Sequence, residues 1–87
     1  MHELSLINDL MRKIEAVARS RAARKVVGVK IQLGALAHIS PDHFRQHFTH
    51  AARGTVAEEA QLEIDLLSDV SDPHAMDILL NSVTVEG

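Results

Sequence analysis

The sequence predicts a two-layer α/β sandwich in which two helices pack on one face of a three-stranded mixed sheet, in the order helix, strand, helix, strand, strand. Three observations predict it. Residues 4–23 carry apolar side chains at helical spacing, Ser40-Pro41-Asp42 opens a second helical stretch, and three further stretches alternate apolar with polar at period two. The 87 residues suffice for one domain, residues 1–87, with no internal repeat.

The first helix follows from Leu4, Ile7, Leu10, Met11, Ile14, Val17 and Ala18, which share one stripe, while Asp9, Arg12, Lys13, Glu15 and Arg19 fall between them. Val26 to Leu36 reads as a strand because Val27, Val29, Ile31 and Leu33 alternate with Gly28, Lys30 and Gln32. Gly34 closes it. In the second helix Ser40 can cap free amides, Pro41 suits the first helical position, and Asp42 complements the helix dipole. Phe44, Phe48 and Ala51 form its core stripe, and Gly54 ends it. A second strand, Ala60 to Leu67, turns Leu62, Ile64 and Leu66 inward and Glu63 and Asp65 outward. A third, Ile78 to Glu86, ends with Val83 and Val85 inward, and Asn81 blurs its phase in the manner of a bulge. Between these strands, SDVSDPHAMD at 68–77 is a loop by its Asp, Ser and Pro content. Lys30, Gln32, Glu63, Asp65, Ser82 and Thr84 leave one sheet face wet, with Lys30 placed to pair with Glu63 or Asp65.

Composition removes several kinds of function. There is no cysteine, so disulfides, thiolate zinc sites, iron-sulfur clusters and cysteine nucleophiles are excluded together. No apolar run approaches ~18 residues and no secretion signal opens the chain, so the expected location is cytoplasmic, away from membranes. All nine Lys and Arg lie at or before Arg53, and eight of the twelve acids lie at or after Glu58. The basic cluster of Arg19, Arg21, Arg24 and Lys25 has no interleaved aromatics, and the net charge is −3, which argues against nucleic acid as partner. The four glycines form no phosphate-binding loop, and no nucleophile stands beside a base, so no catalytic residue and no enzymatic activity are expected. With no Trp or Tyr and only two Phe, the core is modest, and a homo-oligomer would add burial that the monomer lacks.

Histidine is the anomaly: His2, His38, His43, His47, His50 and His74 each offer an imidazole to nickel, copper or zinc. His43, His47 and His50 stand at i, i+4 and i+7 of the second helix, and two histidines one turn apart can share a metal. The alternative is a solvated helix flank. His74, in the loop, can reach a neighbouring ion. His2 differs because the Met1 amine, the His2 backbone nitrogen and the His2 imidazole close two adjacent chelate rings without tertiary structure. They supply three nitrogens in one plane. A fourth donor would be the Glu3 backbone nitrogen or another imidazole, with the Glu3 carboxylate a weak ligand or a hydrogen-bonding neighbour. Ni(II) and Cu(II) are the ions that can deprotonate and bind such an amide near neutral pH.

The opening MHELSL, followed in order by VVGVKIQLGAL, SPDHF, GTVAEEAQLEI and SVTVE, resembles the HypA/HybF family of small nickel-binding accessory proteins. The resemblance spans residues 1–67 and 78–86. It implies two helices against a three-stranded sheet, in agreement with the periodicities, and Ni(II) held through Met1, His2 and Glu3, with His2 decisive. It also implies service to a [NiFe] hydrogenase large-subunit precursor, to urease in some bacteria, and partnership with a maturation GTPase of HypB type. One departure is large. The family inserts a zinc domain built on two Cys-x-x-Cys pairs between the second and third strands, where this chain has ten residues and no cysteine. The family's zinc site is therefore absent. Two functions follow from the resemblance: a nickel metallochaperone, or a HypA-like docking module in metalloenzyme maturation whose nickel binding is secondary or lost.

Overall fold

A computed structural model of the chain describes residues 3–87, with side chains from Ser5 onward. Its elements are α1 (Glu3–Ser20), β1 (Lys25–Leu33), α2 (Pro41–Ala52), β2 (Gln61–Leu66) and β3 (Ile78–Glu86). The sheet order is β2-β1-β3, with β1 parallel to β2 and antiparallel to β3. This is the mixed two-layer sandwich that the periodicities predict, although Leu66, expected inward, is exposed at the end of the edge strand β2.

Each helix ends for a local reason. α1 stops at Ser20 rather than near Ala23 because Ala22 takes a left-handed backbone, φ 50°. The Ala23 N–H then donates to the Ala18 carbonyl at 2.9 Å, and the Ala22 N–H to Arg19 at 3.1 Å. Together these bonds satisfy carbonyls that the last turn would otherwise leave open. α2 starts where the sequence places it: Ser40 is extended, its Oγ accepts the His43 N–H at 3.1 Å, and Pro41 needs no partner for an amide it lacks.

The central strand departs from simple alternation in one place. Val26 pairs with Val85 and Gly28 with Thr84, so Val27 is an extra residue on β1, and Val26 rather than Val27 turns into the core. On β3, Ser82 pairs with Lys30 and Leu80 with Ile31, which makes Asn81 the extra residue there. The two bulges cancel. Leu33 pairs with Ile78 in the same register in which Val26 pairs with Val85.

The core lies between the sheet and both helices. Phe44, Ile7, Ile14, Ile31, Leu33 and Val26 are fully buried, joined by Leu10, Met11, Phe48 and Ala52. On α2 it is Ala52, one residue beyond the predicted Ala51, that is sealed, while Ala51 packs at the margin. Among the described residues no polar or charged side chain is buried. The opposite sheet face is wet, and Lys30 Nζ lies 3.4 Å from Glu63 Oε2 across the parallel pair. Both ends of that ion pair are exposed, so it adds at most ~1 kcal/mol.

Topology gives the molecule a direction. α2 links two parallel strands and therefore runs opposite to β1. α1 enters β1 through only four residues and lies over the sheet, with Val17 and Arg21 beside Leu80 to Val83 of β3, so it too runs opposite to β1. Both helices consequently begin at the end of the sheet where β1 finishes. The segment 67–77 crosses that same end to pass from the β2 edge to the β3 edge: the Leu67 N–H donates to Leu33, Gly34 to Asp77 and Leu36 to Ala75.

Candidate metal centre

Four of the six histidines belong to elements gathered at this end of the sheet. His38 lies in the connection leading into α2, His43 and His47 lie in the first two turns of α2, and His74 lies in the crossing segment. Met1 and His2 fall outside the described residues, as does the Glu3 side chain, while the Glu3 backbone starts α1 at this end. The direction of α1 thus puts its first described turn at the same end of the sheet as the start of α2, which sequence spacing alone does not reveal.

His43 and His47 meet. Their Nε2 atoms stand 3.0 Å apart, with ring centroids at 4.6 Å and planes inclined by 38°. They are neighbours because residues four apart lie above one another on a helix, and Phe44 and Phe48, buried on the adjoining face, fix which way this flank points. The Ser40 cap secures the His43 backbone from below. His50 continues the stripe but lies among Asp42, Arg45, Gln46, Thr49 and Arg53, a strongly charged surface.

His74 sits in a well-formed turn. Its N–H donates to Asp72 Oδ1 at 2.7 Å, and its Nδ1 is 2.9 Å from Asp77 Oδ2. A carboxylate on Nδ1 orients the ring and leaves Nε2 facing outward, which is how histidine ligands are commonly held from behind. The turn before it is also ordered by a carboxylate. The Ser71 hydroxyl and, after it, the Ser71 N–H hydrogen-bond to Asp69 and hold its carboxyl below the ordinary value of 3.8, against a small opposing effect of desolvation. His38 has a backbone role: it adopts φ 59°, a left-handed conformation that histidine accepts more readily than most residues.

Among the described residues, no cluster of three or more His, Asp or Glu side chains is arranged to hold a metal ion. The His43–His47 pair and the His74–Asp77 pair are the elements available there. Among the same residues, no helix is long and apolar enough to cross a membrane.

Comparison with known proteins adds to this geometry. The family described as "Hydrogenase/urease nickel incorporation, metallochaperone, hypA" matches residues 1–71 of the chain. The chain is 39% identical over 67 residues to the hydrogenase maturation factor HypA of Methylocella silvestris, an alignment covering 77% of this chain and 59% of that protein. It is 35% identical over 66 residues to the factor of the same name from Archaeoglobus fulgidus, covering 76% of this chain and 60% of the other. The chain therefore spans about three fifths of the length of these curated relatives. In three dimensions it resembles the solution structure of the Ni metallochaperone HypA from Helicobacter pylori, with a TM-score of 0.79 at 18% identity over 99% of this chain and 98% of the other. At that identity the likeness concerns the fold.

Proposed function

From the premise that the chain belongs to the HypA family of hydrogenase and urease nickel-incorporation metallochaperones, we propose that it is a compact nickel metallochaperone holding Ni(II) at Met1, His2 and Glu3. One observation carries the reading. The family match covers residues 1–71, so the MHELSL opening lies within the matched segment. The family is one of maturation factors rather than catalysts.

The chemistry suits delivery. The Met1 amine, the His2 amide nitrogen and the His2 imidazole give Ni(II) a planar field of strong nitrogen donors. Because the donors are covalent neighbours, metal binding needs no rearrangement of the sandwich. The chelate exchanges its ion when a recipient presents better-placed ligands, cysteine thiolates among them. The recipient in this reading is a [NiFe] hydrogenase large-subunit precursor in the cytoplasm, reached together with a GTPase of HypB type.

Nickel titration of protein whose amino terminus is Met1 tests the site. His2→Ala, and separately one extra residue placed before Met1, should each remove one bound nickel equivalent while leaving the far-ultraviolet circular dichroism unchanged. Equal uptake by the parent and both variants would rule the terminal chelate out.

The absence of cysteine favours a second reading, in which the fold persists as a HypA-like docking module for maturation partners. The parent protein would then bind its GTPase partner in a pull-down without nickel, and His2→Ala would leave that capture unaltered.

A further inference from the structure

We propose that the crossing segment 67–77, with Leu66 and Leu36 beside it, is a docking surface for a partner protein that presents apolar side chains bordered by Lys and Arg. The surface belongs to the docking side of the family reading and shares no residue with the terminal chelate.

Exposed apolar side chains gather here. Among the described residues, the large hydrophobics left in water are Leu36 at 37%, Leu66 at 58%, Val70 at 62% and Met76 at 67%. Leu66 directly precedes the segment, Val70 and Met76 lie within it, and the Leu36 N–H donates to the Ala75 carbonyl at 2.6 Å, which sets Leu36 against it as well. Single scattered hydrophobics on a surface need no partner, but a group collected on one segment marks an interaction site. Methionine contributes an adaptable contact.

The segment is also held in place. Ala75 is buried, the Leu67 N–H donates to Leu33 at 2.9 Å, and the Gly34 N–H donates to Asp77 at the same distance. Between these anchors Asp69 accepts the Ser71 N–H and Asp72 accepts the His74 N–H, so each orders a turn. A surface that is already ordered loses little freedom when a partner seats on it.

Charge selects the partner. No Lys or Arg occurs after Arg53, while Asp69, Asp72 and Asp77 lie in the segment and Asp65 just before it. Elsewhere acids stand beside cations, Glu59 and Glu86 at Lys25 and Glu63 at Lys30. Among the described residues none of the four aspartates has a Lys or Arg partner, and Asp77 pairs with His74. An acidic border repels anionic lipid and nucleic-acid phosphates. A two-fold contact between copies of this chain would set the same aspartates against one another. A cationic protein surface with apolar anchors is the occupant that satisfies both the hydrophobic group and its border.

The probe is a short synthetic peptide of leucine and lysine patterned as an amphipathic helix, with a twin in which glutamate replaces every lysine. Titrated without nickel into the isotope-labelled chain, the Leu/Lys peptide should give saturable amide shifts centred on 66–77 and Leu36, and the Leu/Glu twin should give none. Val70→Ser/Met76→Ser, at two exposed positions, should weaken binding roughly tenfold or more, because two apolar side chains leave the interface. Asp69→Asn/Asp72→Asn keeps an accepting oxygen in each turn and should weaken binding roughly fivefold at low salt, and less as salt rises. Circular dichroism verifies the fold of each variant. Equal binding of the twin, shifts centred elsewhere, no saturable shift, or unaltered affinity in Val70→Ser/Met76→Ser overturns the docking surface. So does a dimer seen by sedimentation, or binding to phosphatidylcholine vesicles, that Val70→Ser/Met76→Ser abolishes, since the patch would then belong to a second copy or to lipid. Nickel uptake at Met1 and His2 enters none of these outcomes, so the terminal chelate and the docking surface fail separately.

Discussion

Ala22 is the residue at which this chain departs most plainly from local preference. It occupies a left-handed backbone with its side chain exposed, at the position after a helix where glycine is usual. A left-handed alanine costs about 1–2 kcal/mol against its preferred conformations, whereas glycine pays mainly in unfolded-state entropy of ~0.4–1 kcal/mol. Ala22→Gly should therefore stabilise the protein by about 0.5–1 kcal/mol, seen as a higher urea midpoint with an unchanged slope. Periodicity alone carried α1 through to Ala23, because neither Ala22 nor its neighbours announce a stop. The same limit explains Val27. Apolar alternation places it inward, but a single extra residue on β1 passes that role to Val26, and both positions are valine. Where two neighbours have the same chemistry, composition cannot say which one faces the core.

At the scale of elements, the segment 67–77 is more than a link. Ala75 is buried at 4% exposure, and its carbonyl crosses directly over Gly34. A Cβ at Gly34 would stand 2.2 Å from the Ala75 oxygen and 2.5 Å from the His74 oxygen, both backbone atoms that cannot swing aside. Gly34→Ala should destabilise the fold by about 1–3 kcal/mol, with amide shifts concentrated at residues 74–77 in NMR spectra. The Asp, Ser and Pro content of the segment makes it a loop, and a loop it is, yet its anchoring to Gly34 is a contact between distant stretches that no local pattern encodes. α2 was legible for the opposite reason. Ser40, Pro41 and the phenylalanine spacing act within a dozen residues, and they fix both its start and its buried face.

The whole molecule depends on a small aliphatic core with two aromatic rings. Phe44 is fully buried and packs with Phe48 at a ring separation of 6.4 Å. Phe44→Ala should cost about 3–5 kcal/mol, a large part of the ~5–15 kcal/mol available to a domain. Thermal unfolding would read it as a lower midpoint, against an unchanged one for the exposed substitution Gln46→Ala. The architecture was legible because alternation and helical spacing both report on one buried face. The convergence of histidines at one end was not, since it follows from the direction of α1 and α2 relative to β1, a property of the assembled sheet. That assembly also bears on chain length. β2 and β3 flank β1, so the strand ends joined by the crossing segment are only about 10 Å apart, while the eleven residues of 67–77 can extend to roughly 36 Å. The sheet places almost no demand on how much polypeptide hangs between those two points, and each doubling of a flexible connection costs only about 0.6 kcal/mol. The crossing thus works as a socket: a whole lobe can be hung there or removed while the sandwich beneath it keeps its register.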